Sequence, residues 1–517
     1  MRRAAAFFII AVFSVFISGC GGGSSMSGGA GIVTNQADVP VSMTVTDTPP
    51  AGVTVLLFQL GISPASLTSS GGASVSLVSS ATNPIPVNVA QLQTDSAFLG
   101  SANVPAGTYT SLSVTFAANP QLTIFNASGS TIGSGANACA NNTICHLTPP
   151  ASPSTLTFNT NPFPVTLSAN SPLAFKLDIH LDTIIQPDLT VNLAATDGVT
   201  ISQLPTPSAG APISALGHLI GTVGGVTSSG FTLQTGDGRS FTIGVNSSTT
   251  YSYSSSVCPA DNFTCVAMNQ IVKVEVSLEP GGTLLAVAVD YVQPATQTVV
   301  EGNIVRLTTS GTNTILNLIV QNGPPTPTPN VLPFGGMVTV TVPSTGVTYA
   351  IDSDGFTLPS GLTFTSASSL AVGQLVSVVV NGSITTTGGS GGATPFAGPA
   401  AIGFSANSIT LEPSQITGTI AGINAGQLSF ALATLPIFFV PPAANATSAP
   451  PWEPVIITVQ TTSATAYSGF TPENISGLYV NDYISVKGWV FSTPTGTTSI
   501  TVAGESLLER PGPTPLF

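Results

Sequence analysis

From residue 39 onward this chain alternates apolar and polar residues with a period of two, and that pattern restricts its folding more than any other feature. "VSMTVTD" sets Val41, Met43 and Val45 on one side and Ser42, Thr44 and Thr46 on the other; "KLDIHLD" does the same with Leu177, Ile179 and Leu181. Side chains alternate across a strand, so each such run makes a ribbon with one dry and one wet face. The runs are rich in Val, Thr and Ile and are broken by Gly, Pro and Asn turns. Helical periodicity is almost absent, and 42 prolines would end or kink any helix long enough to matter. The expected class is all-β, and 517 residues allow about three or four domains.

Charged residues make up only 6% of the chain, against ~25% in an average soluble protein. Hydrophobic residues reach 42%, enough to build cores, so disorder through charge repulsion is not expected. The formal net charge is −13. Beyond Arg2 and Arg3 the fixed cations are Lys176, Arg239, Lys273, Arg306, Lys487 and Arg510. They are scattered along the chain, whereas nucleic-acid binding needs several phosphate-neutralising side chains on one face. Nucleic acid is therefore excluded as an expected partner.

At the N-terminus Arg2 and Arg3 precede an apolar segment, residues 4–17, and then Ile17-Ser18-Gly19-Cys20. A basic start, a greasy stretch and small residues before a cleavage point are the layout of a secretory signal. As a permanent helical anchor the segment would reach roughly 21 Å, short of the ~30 Å hydrocarbon core. The tetrapeptide resembles the lipobox of bacterial lipoproteins. That resemblance implies cleavage after residue 19 and a lipid (palmitate-bearing) anchor on Cys20, which makes the membrane a partner. It also implies the outer membrane of the cell envelope as destination, because Gly21 rather than Asp follows the cysteine. Residues 20–38, rich in Gly and Ser at their start, read as a flexible tether.

Four further cysteines form two local pairs, Cys139 with Cys145 in "CANNTIC" and Cys258 with Cys265 in "CPADNFTC". In an exported chain, even pairing inside such loops reads as two loop-closing disulfides. Metal or haem is the alternative raised by His146 beside Cys145, but haem attachment wants two residues between the cysteines and zinc wants four tightly spaced ligands.

Residues 39–204 form the first unit. It opens with "VTDTPPAG" and continues through "NVAQLQTDSAFLGSANVPAGTYTSLSVTF". These stretches resemble a family of bacterial lipoprotein domains of unknown function, which carries an Asp-x-Pro opening, here Asp47 and Pro49, and a Pro-Ala-Gly-x-Tyr hairpin, here Pro105 to Tyr109. The resemblance implies an antiparallel β-sandwich, prealbumin-like or immunoglobulin-like, without an established activity.

After a Pro-rich linker, residues 205–216, the chain repeats itself over 217–293, 298–412 and 415–511. "LIGTVGGV", "VEGNIVRL" and "ITGTIAGI" align on Gly221, Gly302 and Gly418. Each copy continues to a tyrosine, Tyr251, Tyr349 or Tyr467, and then to a strand pattern, "QIVKVEV", "QLVSVVV" or "DYISVKGWV". Copies two and three carry Pro-rich insertions, "NGPPTPTPNVLPFGG" and "LPIFFVPPAANATSAPPWEP", at the corresponding place, which reads as a loop on one side of the unit. Each copy has the size of a small β-barrel whose glycines suit sharply bent strands. The copies resemble a second bacterial domain of unknown function, a small barrel with oligonucleotide/oligosaccharide-binding-like character.

Chemistry-bearing constellations are few. Asp178, His180 and Asp182 are expected on the outer face of one strand, either as a solvated face or as a cation site shared with a neighbour. "DSDG" at residues 352–355 lacks the later ligands of a calcium loop and reads as a turn; "TGDGRS" reads as a hairpin turn. The three histidines, His146, His180 and His218, accompany neither a nucleophile elbow nor a phosphate loop. No enzyme activity, catalytic residue, metal or cofactor is expected. The expectation is a non-catalytic binding or adhesion module, with Ile437, Phe438, Phe439 and Trp452 as a platform for an envelope polysaccharide or a surface protein. Those aromatics could equally be packing residues. The alternative to binding is a structural envelope spacer.

Overall fold

The computed structural model describes residues 38–510, omitting 49–53, 79–83, 206–211, 254–256, 295–297, 323–333, 387–401, 435–454, 493–499 and single positions 127, 142, 170, 237 and 354. The all-β expectation holds: two packed sheets are followed by three small barrels, each a closed ring of five strands with a sixth, the short fourth strand of the repeat, paired alongside its last strand.

In the sandwich, one sheet carries Asp38–Thr48 at its centre, paired with Ala97–Pro105 on one side and Leu173–His180 on the other. The facing sheet is built on Thr54–Ser69 and Gly107–Phe116. The alternation seen in the sequence becomes the core: Val41, Met43, Val45, Phe175 and Leu177 meet Leu60, Ile62, Leu67, Leu112 and Val114, all fully buried. Pairing is antiparallel except between Asp38–Thr48 and Leu173–His180 and in one short two-residue bridge, which run parallel. The Pro-Ala-Gly-x-Tyr hairpin has a physical cause. Tyr109, buried, donates its hydroxyl to the Pro105 carbonyl at 2.9 Å and so ties the turn to the strand that leaves it.

The three repeats share one topology. The first strands, Leu219–Val226, Thr298–Ser310 and Ser414–Asn424, pair with the second strand of their own repeat and with the fifth. Closure comes from a parallel pairing between the third and the last strand, Ser240–Gly244 with Leu284–Pro294 and its two counterparts. A Cβ on Gly221, Gly302 or Gly418 would collide with the facing carbonyl oxygen of Gln234, Ile319 or Ala433. Only glycine lets the bent first strand press this close to its neighbour. The aligned tyrosines lie on the short fourth strand, and each packs on a phenylalanine of the following loop: Tyr251 on Phe263, Tyr349 on Phe364, Tyr467 on Phe470, at 5.8–6.4 Å between ring centres.

Strand directions place the hairpin between second and third strands and the hairpin between fifth and last strands at the same end of each barrel. In the first repeat both connections are short. In the second and third repeats, segments 323–333 and 435–454 fall in the former hairpin and 387–401 and 493–499 in the latter. The two Pro-rich insertions read from the sequence therefore leave from one structural point.

Candidate functional site

The four domains meet at one strip of the sandwich, residues 88–98, within the "NVAQLQTDSAF" stretch. Asn88 donates to Gln321 Oε1 of the second repeat at 2.6 Å, and Gln321 in turn donates to the Leu56 carbonyl at 2.6 Å. Gln93 accepts from Thr417 of the third repeat at 2.6 Å, and Thr94 donates to Gln415 at 3.0 Å. The Gln93 carbonyl accepts from Arg510. The first repeat reaches the same strip through Gly217, whose N–H donates to the Ser96 carbonyl at 3.0 Å, and through Arg239, which donates to the Phe98 carbonyl at 2.9 Å.

Arg239, Lys273, Lys487 and Arg510 all lie in contacts between domains. A chain this poor in charge places it inside, between domains. Lys273, only 2% exposed, joins the first repeat to the second through Asp352 Oδ2 and Glu412 Oε2, both at 2.9 Å. The turn read from "DSDG" thus supplies an ion-pair partner. Trp489 of the third repeat donates its indole N–H to the Asp352 carbonyl at 2.7 Å and stacks on Phe356, entering the second barrel's apolar cluster. Lys487 faces Asp95 at 3.4 Å and Glu505 at 3.6 Å.

His218 stands on the first repeat and Glu301 on the second, Nε2 to Oε2 3.2 Å. Burial disfavours the imidazolium, but the adjoining Glu301 carboxylate outweighs it and pushes the histidine up to about 9. Burial likewise opposes the Glu301 charge, and His218 overcomes it, holding that carboxyl below its usual range. Asp290, beside the Lys273 network, goes the other way: burial, reinforced by Asp352, lifts it to about 7. His218 and Glu301 border a cavity of about 140 Å³ lined by the sandwich strip and by all three repeats. Its walls combine carboxamides, paired charges and three phenylalanines, Phe98, Phe241 and Phe334.

The residues singled out in the sequence distribute as follows. Cys139–Cys145 and Cys258–Cys265 are disulfides, with Cα separations of 5.8 and 5.6 Å. His146 is no ligand of theirs; its Nδ1 shares a hydrogen bond with Thr123 Oγ1 at 2.8 Å, and burial lowers its pKa. Asp178, His180 and Asp182 do not share a strand face. The strand ends at His180, and Asp182 sits on a helical turn, Leu181–Ile184, so only Asp178 and His180 remain side by side at 3.8 Å. Among the described residues no group of three or more His, Cys, Asp or Glu side chains is placed to hold a metal. Asp47 is fully buried with both carboxylate oxygens unpartnered; burial lifts its pKa well above the carboxylate range and favours the neutral acid. Cys20, Pro49, Ile437, Phe438, Phe439 and Trp452 lie outside the described residues.

Sequence reading missed the junction itself. A usable signal existed in the repeat register. Lys273, Ser377 and Ser485 occupy one position, facing Ile220, Glu301 and Thr417 across the same strand pair. A charge where a sibling repeat has serine or isoleucine marks the surface that meets another domain. No curated protein matches the chain. Residues 38–194, the sandwich with its docking strip, match the family model of a domain of unknown function, DUF4382.

Proposed function

We propose that this is an exported, lipid-anchored protein of the cell envelope that acts by binding through the insertion-bearing ends of its second and third barrels.

 We take it as non-catalytic. The observation that carries this reading is the recurrence of long segments at one end of two barrels, where the first repeat has only short turns. The export signal and lipobox-like Ile17-Ser18-Gly19-Cys20 support the anchoring, as do the two disulfides, which persist in oxidising compartments. The third repeat's segment contains Phe438, Phe439 and Trp452 among prolines. Aromatics in a Pro-stiffened loop offer a platform for a sugar ring or a partner's surface, with little ordering entropy to lose on binding. The spacer reading has its own observation: the ionic junction joins four domains into one unit, as a rigid strut would require.

Two measurements test the proposal. Mass spectrometry of the mature protein is expected to show an acylated N-terminal Cys20 without residues 1–19, and Cys20→Ser is expected to release the protein from membranes. Unmodified, soluble wild type recovered beside intact membranes would contradict the anchoring. For binding, the mature chain is probed on an array of glycans and envelope polysaccharides beside Phe438→Ala/Phe439→Ala/Trp452→Ala. Loss of signal in the triple variant with an unchanged thermal melt is the expected result. Equal signals, or no signal from wild type, would overturn the platform and leave the spacer.

A further inference from the structure

We propose that the third barrel carries a docking face for a second copy of this chain, built from Ala421, Ala433, Ile456, Tyr479 and Val480. The face does not depend on the barrel ends described above binding anything.

The second repeat shows the same face in its covered state. Val305, Ile319, Met337 and Val372 pack there against Leu56, Phe125 and Ile144 of the sandwich. Strand register carries each of these positions to the other repeats. Ile319 lies between Asn303 and Met337; Gln234 lies likewise between Thr222 and Ser240 in the first repeat, and Ala433 between Thr419 and Ile456 in the third. Val305 is the bulged residue of its strand, as are Gly224 and Ala421 of theirs. Val372 precedes Gly373, whose N–H donates to the Ile304 carbonyl at 2.8 Å. Asn269 and Asn481 make the same bond to Val223 and Ile420 at 2.9 and 2.8 Å, which aligns Met268 and Val480 with Val372.

The three counterparts differ in chemistry. The first repeat has Gly224, Gln234, Ser240 and Met268, so the barrel itself does not require apolar side chains at these positions. The third has Ala421, Ala433, Ile456 and Val480, with Tyr479 beside them, and no domain covers them: Ile456 is 60%, Val480 52% and Tyr479 63% exposed. Of the eight large hydrophobics exposed among the described residues, these three share one side of one barrel. Scattered exposed hydrophobics are ordinary, whereas a contiguous group marks an interaction surface. What covers the second repeat names the occupant's chemistry, an uncharged apolar sheet surface. In every copy the sandwich surface of Leu56 and Phe125 is already buried under that copy's second repeat. The matching surface left open on a second copy is the same third-barrel face, so the two copies meet about a two-fold axis. The patch is small beside the roughly 20–30 residues a side of a standard interface, and the association is accordingly weak and reversible.

The test is sedimentation velocity of the Cys20→Ser chain, which keeps the whole fold without a lipid, over a wide range of concentrations. A reversible monomer–dimer equilibrium is expected. Tyr479→Ser/Val480→Ser and Ile456→Thr alter exposed side chains, so each is expected to keep the thermal melt of the parent chain while weakening the dimer tenfold or more. Met268→Ser, at the first repeat's counterpart and 59% exposed, is expected to leave the dimer unchanged. Phe438→Ala/Phe439→Ala/Trp452→Ala is expected to leave it unchanged too, which keeps this contact distinct from recognition at the barrel ends. Phosphatidylcholine vesicles probe the competing occupant, a membrane surface. A chain that stays monomeric at every concentration, a dimer indifferent to both face variants, or vesicle binding lost in the face variants with no dimer formed would each overturn the proposal.

Discussion

Lys273→Met is expected to destabilise the folded chain by about 3–5 kcal/mol, the range for removing one partner of a buried ion pair. The lysine is 2% exposed, and its ammonium holds Glu412, 3% exposed, and Asp352 at 2.9 Å each. Methionine keeps the length and apolar stem of lysine but leaves two buried carboxylates of the second repeat, Asp352 and Glu412, without the cation that the first repeat supplies to both. Burial and the neighbouring Asp352 already push the Glu412 pKa up, and Lys273 opposes that; without it the pair must take up a proton or separate. Urea unfolding followed by intrinsic fluorescence and by circular dichroism would measure the loss. Because the contact is between domains, the two probes are expected to separate into non-coincident transitions in the variant. The triple change Lys273→Met/Glu412→Met/Asp352→Asn removes the orphaned charges and is expected to recover most of the stability. A single variant within 1 kcal/mol of wild type would show that the network is solvated.

The same residues show how far the sequence could be read. Alternation gave the strands because burying one face of a sheet demands it, and the repeats were visible because barrel closure makes the same demand three times. Gly221, Gly302 and Gly418 have no room for a Cβ, and Tyr251, Tyr349 and Tyr467 each need an aromatic neighbour. Local disulfides were legible for a similar reason, since the partners stand only six or seven positions apart. The junction was not. Lys273 lies 139 residues from Glu412, and His218 lies 83 from Glu301, so no local pattern ties them together. Asp182 was misplaced for a local reason. A strand continued with good alternation into "HLD", but the backbone turns at His180 into a single helical turn that buries Leu181 and Ile184.

Stability is expected to be greatest at mildly acidic pH and to fall as pH rises toward 10, and His218 and Asp290 set that slope. His218 titrates near 6.5 when unfolded and at about 9 when folded, so its ion pair with Glu301 contributes fully below pH 6.5 and is lost as pH rises through about 9. A shift of that size corresponds to on the order of 3 kcal/mol. Asp290 acts earlier on the same axis. Its folded pKa, about 7, lies above the unfolded 3.8, so the native state holds a proton that the unfolded chain has released, and stability declines between those values. Glu301 works in the opposite sense at low pH: its depressed pKa gives stability that is present above 4.5 and lost as pH falls through the folded value. The groups facing this region from the packed elements are Lys273, Glu275, Asp352 and Glu412, and the first of these favours the charged form of both acids. Thermal melts at pH 5.5, 7.5 and 9.5 check the slope. His218→Gln is expected to flatten the limb between 7.5 and 9.5, and Asp290→Asn the limb between 5.5 and 7.5. A wild-type melting temperature that rises from pH 7.5 to 9.5 would show that the imidazolium is not held by Glu301, and would leave the Lys273 network as the ionic link between the first and second repeats.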